Sequence, residues 1–368
     1  VQPAGENVLR VEPPSFRIDI TRDWDLMEEV ARLEGYDRIP VTIPPIRASD
    51  EKESPELAVG DRVREIMVGL GFSETISFSF IAPESADCLG AEKNSPLRSF
   101  VTLLNPLTVD QSVMRTSLVP GLLATAKTNL SYGEKDLKLF EWGRVFFRQN
   151  TAELPQERRM LTALAMGLAN PKEWYREERN SDFYDAKGAA QVLLRSLGVK
   201  DVLFERGETP PWYAREAASL IRIADQTLGT VGQLSPVVLK RFDVDAPSVF
   251  IFEIDGALLT EMATWDRVFE PLAKFPAVYR DLSIVAKRSV ESAAIQKIIL
   301  LEGRGLVESA TLFDLFEGGK IDPSEKALAY RICYRSKETT LDGKDINKLH
   351  ERIVERIEKE TGARLREV

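Results

Sequence analysis

The sequence predicts an α+β fold: a mostly antiparallel sheet flanked by helices, then a C-terminal ferredoxin-like βαββαβ unit. Three observations predict it. Residues 102–147 read as a strand ending at Asn105-Pro106, a loop carrying the run SVMRTSL (112–118), a helix entered at Pro120, and a second strand after Tyr132-Gly133. From residue 280 onward, strand and helix signals follow one another in the order βαββαβ. Finally, 368 residues with 43% apolar and 29% charged side chains can bury a large core shared between two or three domains.

In chain order, residues 8–20 alternate as a short strand broken by Pro13 and Pro14. A helix is expected next over 25–35, with acids in its first turn and Gly35 as its stop. Its Met27, Val30, Ala31 and Leu33 should face a core, while Asp25, Glu28 and Glu29 share a side at i, i+3 and i+4. Asp19, ending the preceding strand, can reach the same point. Four carboxylates converging there would suit a hard cation such as Mg²⁺. Alternatively Asp25 caps the helix, the glutamates complement its dipole, and Arg32 pairs with Glu28. The pattern leaves both open.

Residues 40–55 are rich in proline and charge and read as a linker. An amphipathic helix over 56–69 follows, with Val59, Val63, Ile66, Met67 and Leu70 as its apolar stripe, and then an alternating strand over 71–80. Leu122, Leu123, Ala126 and Leu130 fall at helical spacing in the central stretch, and 136–147 reads as a buried strand. Further strands are expected at 160–168, 203–206, 217–224 and 250–254, with a helix at 182–198 and a linker at 267–276. No glycine-rich phosphate loop occurs.

The last segment gives strand 280–286, helix 289–302 capped by Ser289, strands 306–316 and 326–335, helix 342–360 and a closing strand 363–368. Ile346, Leu349, Ile353 and Ile357 line one side of the long helix. Both helices would cover one sheet face and leave the other open. This segment carries 17 Lys and Arg against 16 Asp and Glu, whereas the rest of the chain carries 32 against 42. Arg331 and Arg335 alternate onto one face of their strand, and with Arg280 they are candidates for pairing and stacking with single-stranded RNA. A solvated charged face is the bland alternative.

A net charge of −9 excludes indiscriminate coating of nucleic acid. Cys88, Cys333 and His350 are the full complement of thiols and imidazoles, which leaves little for zinc sites, disulfide frameworks or histidine-based triads and suits a reduced, cytosolic setting. No secretory leader or long uncharged apolar run is seen, so no membrane association is expected. Because the chain opens at Val1 without an initiator Met, it is expected to be a fragment of a longer polypeptide.

The segments SFRIDITRDWDLMEEVARLEGYDRIP, GFSETISFSF, NPLTVDQSVMRTSLVPGLL, LKLFEWGRVF, KFPAVYRDLS, TTLDGKDIN and GARLR occur together and in order. Over nearly the whole chain they resemble the C-terminal half of the bacterial phenylalanyl-tRNA synthetase β subunit. The resemblance implies three modules: the end of a B5 domain over 1–45, a class II synthetase-like but non-catalytic core (B6–B7) over 56–266, and a ferredoxin-fold anticodon-binding domain (B8) over 275–368. It also implies Mg²⁺ at Asp19, Asp25, Glu28 and Glu29, tRNA(Phe) as a partner, and a catalytic α subunit that uses ATP in an (αβ)₂ assembly. Neither membrane nor DNA is an implied partner.

A working class II core needs arginines on the α-phosphate and ATP, because adenylate formation is largely charge stabilisation. Arg115 and Arg144 lie in the motif-2-like region, yet no arginine follows the strand 250–254. No catalytic residue is therefore expected in this chain, and both arginines are expected to be structural. Where the family commonly has His-Pro-Gly-Arg this chain has Trp212-Tyr-Ala-Arg, and where Gly-Glu-Leu-His-Pro is usual it has Gly232-Gln-Leu-Ser-Pro. The family's editing pocket belongs to the amino-terminal half and is not assigned here. A free-standing RNA-binding or scaffold paralogue that never assembles with a synthetase is the competing expectation.

Overall fold

A computed structural model describes residues 1–45, 54–149, 154–265, 269, 271–319 and 321–366. The chain divides into two compact units, Val1–Lys52 and Glu53–Val368. The expected linkers at 40–55 and 267–276 fall partly outside the described residues.

In the first unit, β1 (Gln2–Gly5) pairs antiparallel with β2 (Val8–Arg10), and α1 spans Asp23–Glu34. The strand expected over 8–20 stops at Arg10, because Pro13 and Pro14 carry no N–H for a ladder. Asp25 accepts the backbone N–H groups of Thr21 and Arg22, each at 2.8 Å, which fixes the start of α1. Gly35, at φ +94°, ends it. The expected core face of α1 is not buried: Met27, Val30 and Leu33 are all exposed. Within this unit, a two-stranded ribbon offers no layer wide enough to cover a helix.

The second unit opens with α2 (Pro55–Gly69), where Pro55 takes a first-turn position and Val59, Val63 and Met67 are buried. The strand expected over 71–80 is reduced to β3 (Ser73–Glu74) and β4 (Phe80–Ile81), with Ile76 and Phe78 exposed between them. After the short α3 (Ser85–Cys88), the expected strand at 102–105 amounts to a single bridge from Thr102 to Val113. Pro106 interrupts the ladder there, and β5 (Val113–Met114) pairs with β4 instead. Then come α4 (Val119–Ser131), β6 (Leu137–Phe147), β7 (Gln156–Met166), the small ribbon β8 (Leu168–Asn170) with β9 (Arg179–Asn180), and α5 (Phe183–Ser196) capped by Asp182. The remaining core elements are β10 (Val202–Glu205), β11 (Tyr213–Ile223), β12 (Gln226–Leu234), α6 (Pro236–Arg241), β13 (Val249–Asp255) and α7 (Gly256–Met262).

Seven strands join in the order β10-β11-β12-β13-β7-β6-β3, antiparallel throughout except for β3 on β6. Alternation sends Phe140, Leu161 and Phe252 to one face, packed with residues of α2, α5 and α7. Leu139, Leu164 and Ile251 go to the other face, packed with residues of α4 and α6. β12 escapes a periodicity reading because Gly229 and Gly232 dilute its alternation. Both glycines are required: a Cβ on Gly229 would lie 2.0 Å from the Glu253 carbonyl oxygen, and one on Gly232 2.5 Å from the Ala218 Cβ.

A second sheet follows, built from β14 (Val278–Lys287), β15 (Val307–Phe316), β16 (Glu325–Tyr334) and β17 (Arg364–Leu365), with α8 (Ser292–Glu302) and α9 (Gly343–Thr361) between them. Its order is β15-β16-β14-β17, all antiparallel, the ferredoxin-like arrangement. The aliphatic stripes of α8 and α9, including Ile295, Ile299, Ile346, Ile353 and Ile357, pack on Leu282, Ile284, Leu328 and Ile332. Asp342 caps α9 and Gly362, at φ +66°, ends it. α8 starts later than expected: Val290 N–H bonds to the Lys287 carbonyl in a turn, so Glu291 rather than Ser289 occupies the cap position. Among the described residues, no helix is long and apolar enough to cross a membrane.

Candidate functional site

The open face of the C-terminal sheet gathers exposed arginine and aromatic side chains on a single surface. Register sets Arg331 of β16 opposite Asp281 of β14, and the guanidinium grips that carboxylate through two bonds of 2.8 Å. Arg331 also lies 5.1 Å from the Phe313 ring centroid, and Arg366 lies 5.3 Å from that of Phe316. Phe313, Phe316 and Tyr279 are each more than 40% exposed, which makes them available to a flat partner. Arg335 lies one residue beyond β16 and bonds Glu308 at 2.9 Å, and the Cys333 thiol donates to the same Glu308 oxygen. Arg331 holds Asp281 below the usual carboxylate range, and the Cys333 and Arg335 contacts do the same for Glu308.

The structure does not bring all three expected arginines together. Arg280 is one residue out of phase with Asp281, opposite buried Ile332, so it belongs to the helix-covered face and approaches Asn347 of α9 at 3.4 Å. Beside it, the Tyr334 hydroxyl and His350 Nδ1 are 2.9 Å apart, and burial first, then the Arg280 charge, lowers the His350 pKa. Arg280 nevertheless borders a hollow of about 430 Å³ with Tyr279, Asp281 and Arg331. Sequence reasoning missed the aromatics for a definite reason. Positions 313 and 316 face opposite ways in a regular strand, but the register shifts between Leu312 and Asp314. That bulge lets Phe313 and Phe316 serve the same side.

The four carboxylates of the first unit behave differently from a metal cage. Arg17 bonds Asp19 at 2.6 Å and Glu29 at 2.7 Å, and Glu29 also receives Arg32 at 2.7 Å. Arg17 and then Arg32 hold the Glu29 carboxyl down at about 2. Asp25 is engaged by the backbone N–H groups of Thr21 and Arg22, which lower its pKa. Glu28 is exposed, and Arg32 pairs with Glu29 instead of Glu28. Among the described residues, no group of three or more His, Cys, Asp or Glu side chains is placed to hold a metal. The donor set is all oxygen, as Mg²⁺ requires, but two of the four close on a guanidinium and a third caps a helix.

On the large sheet, one face carries a polar row across four strands: Glu141, Thr162, Glu253 and Thr230 are successive cross-strand partners of β6, β7, β13 and β12. All are buried. Arg115 closes one end of the row with 2.6 Å to Glu141, 2.8 Å to the Arg144 carbonyl and 3.0 Å to Ser77 Oγ. At the other end, Trp212 Nε1 and the Tyr213 hydroxyl donate to Glu253 at 2.8 and 3.0 Å. Burial lifts the Glu253 carboxyl to about 7 despite both donors. Arg144 is spoken for by Glu157 at 2.7 Å and Glu56 at 3.5 Å. After β13, Asp255 caps α7 through the N–H groups of Ala257 and Leu258, and Arg144, Arg158 and Arg159 of the neighbouring strands border the hollow beside this cap. The Trp212–Glu253 contact, invisible in the sequence, explains the Trp-Tyr pair as hydrogen-bond donors to a buried acid.

Comparison with known proteins covers the chain almost end to end. Residues 1–36 match the tRNA synthetase B5 domain family, 39–256 the phenylalanyl tRNA synthetase beta chain CLM domain, and 273–366 the ferredoxin-fold anticodon binding domain. The phenylalanine–tRNA ligase beta subunit of Geobacter sulfurreducens is 37% identical over 361 residues, 98% of this chain and 45% of that protein. That of Syntrophotalea carbinolica is 38% identical over 369 residues, 100% of this chain and 46% of that protein. The chain thus spans under half the length of these curated relatives. Among solved structures, pyrrolysyl-tRNA synthetase from Desulfitobacterium hafniense shares 13% identity at a TM-score of 0.43, covering 64% of this chain and 74% of its own.

Proposed function

The chain belongs to the phenylalanyl-tRNA synthetase β-chain family, and from that premise we propose that it supports the attachment of phenylalanine to tRNA(Phe) without catalysing it. In this reading the modules are a partial B5 domain over 1–45, a scaffold core over 56–266 and an anticodon-binding domain over 275–368. The chain pairs with a catalytic α subunit, in an (αβ)₂ assembly in the cytoplasm, and ATP is consumed on α.

The observation that carries the RNA half of the proposal is the open face at Arg331, Phe313 and Phe316, where cationic and aromatic groups adjoin without a helix over them. Unpaired anticodon bases could stack there, and Arg331, Arg335 and, from its edge, Arg280 would supply positive charge. The scaffold half draws on Arg115, which is buried and bonded to Glu141 and so not free for a phosphate. A docking site for α is supported by the exposed Ile76 and Phe78 beside a hollow of about 730 Å³ lined in part by Phe80, Thr108 and Pro120. Mg²⁺ is proposed at Asp19, Asp25, Glu28 and Glu29, where Arg17 would have to yield to the ion.

The test is phenylalanine-dependent ATP–pyrophosphate exchange, run on this chain alone and on a full-length β subunit containing it, with and without α. Exchange only when α is present, together with co-elution of full-length β and α, is the expected result. Exchange by the chain alone would overturn the scaffold reading. Tight tRNA binding by full-length β with no association to α would instead favour a free-standing RNA-binding protein.

A further inference from the structure

Beneath the segment that joins β10 to β11, a carboxyl group is buried with no cation beside it among the described residues. Glu253 sits in the middle strand of seven, with the uncharged Thr162 and Thr230 as its cross-strand neighbours. Both of its hydrogen bonds, from Trp212 Nε1 and the Tyr213 hydroxyl, land on the same oxygen. The titratable groups facing it are few. Tyr213 is held well above its usual pKa by burial and so stays protonated, and Glu141, beyond Thr162, is already neutralised by Arg115. The Thr162 hydroxyl is itself buried without a partner among the described residues and gives Glu253 no third hydrogen bond.

The two donors terminate the segment 206–213, whose Gly207, Glu208, Thr209, Pro210 and Pro211 wall a cavity of about 890 Å³ together with Tyr213 and the loop at Glu92–Pro96. A backbone tie continues the attachment: Ser235 N–H, just past β12, bonds the Trp212 carbonyl, while Tyr213 N–H closes a turn within the segment on the Pro210 carbonyl. Glu253 therefore connects the centre of the large sheet to the wall of that cavity.

We propose that Glu253 is a proton-controlled latch, which holds the 206–213 segment against the sheet while protonated and loosens it, with the cavity wall, once ionised. Two neutral donors replace only part of the hydration a carboxylate has in water, so the ionised form gains by opening to solvent. The sign follows from linkage. The closed-state carboxyl titrates at about 7 and an opened, hydrated one near the ordinary glutamate value, so opening releases a proton between those limits. Opening should grow about tenfold per pH unit across that window and level off above it.

Hydrogen exchange of peptides spanning 206–213 in the full chain, corrected for the intrinsic pH dependence, tests this. Wild-type protection should fall about fortyfold from pH 5 to pH 7. Glu253→Gln keeps an acceptor for Trp212 and Tyr213 but cannot ionise, and should show flat corrected protection. Should that variant fail to fold, Tyr213→Phe removes one donor to the carboxylate and should move the wild-type plateau to higher pH. Flat wild-type protection, a slope that persists in Glu253→Gln, or a plateau that Tyr213→Phe leaves unmoved overturns the proposal.

Discussion

Arg115 Nη1 and Glu141 Oε1 meet at 2.6 Å with both side chains at most 6% exposed, which makes this a buried ion pair rather than a solvated one. Ser77 Oγ bridges the same two groups, 3.0 Å from Arg115 and 2.5 Å from Glu141, and the Arg115 carbonyl accepts from Phe146 N–H. Breaking such a pair on one side strands a charge. Arg115→Ala is expected to cost about 3–5 kcal/mol in urea unfolding. A double change to Met at 115 and Leu at 141 should recover much of that loss. A loss below about 1 kcal/mol for the single change would show that Arg115 is not the clasp described.

For RNA, the paired state of Arg331 predicts an effect of opposite sign from two neighbours. Arg331→Ala should weaken tRNA(Phe) binding and lower the salt slope by about one, as expected for a lost phosphate contact. Asp281→Asn frees Arg331 from its bidentate partner and should strengthen binding. Phe313→Ala should cost about 1–3 kcal/mol if a base stacks there. Arg335→Ala should resemble Arg331→Ala, and Arg280→Ala should do less because Arg280 belongs to the covered face. Filter binding over a salt series reads all of these, and identical slopes throughout would remove this face from the site.

The proposed cation site makes Arg17 a competitor. Mg²⁺ occupancy, followed by calorimetric titration, should rise in Arg17→Gln and fall in Glu29→Gln. Equal, negligible heat in wild type and both variants would leave Arg17, Asp19 and Glu29 as an ion-pair cluster that closes on itself.

Stability should carry the signature of Glu253. Its folded-state pKa, about 7, lies above the ordinary glutamate value, so its contribution is full in acid and is lost as pH rises through about 7. The loss is on the order of 3 kcal/mol. Carboxylates held low, such as Glu29 and Asp281, act in the opposite sense, with stability present at neutral pH and lost on acidification. Comparing wild type with Glu253→Gln by urea unfolding at pH 5 and pH 7.5 isolates the first effect, since the others cancel. Equal pH dependence in the two proteins would rule it out.

Much of the fold was readable along the chain. Ile346, Leu349, Ile353 and Ile357, bounded by Asp342 and Gly362, announce α9 because a stripe, a cap and a stop agree. The strand β6 was equally plain from its alternation. β12 was not, because close backbone approach demands glycine at 229 and 232 and glycine erases periodicity. The strands expected at 71–80 and 102–105 failed where exposed apolar residues mimic a buried pattern: Ile76, Phe78 and Leu104 alternate or cluster like core residues yet are solvated. The apolar side of α1 misled in the same way.

Sequence by itself determined the order of the strongly periodic elements, the family, and which residue types were candidates for the site, since these depend on local periodicity and motif order. Tertiary structure decided the pairings. Arg331 meets Asp281 across 50 residues through strand register, the β15 bulge turns Phe313 toward Arg331, and Arg280 falls on the other side by one residue of phase. Trp212 and Tyr213 find Glu253 some 40 residues away. Such relations depend on register and burial, which fix distance and dielectric and have no trace in local sequence.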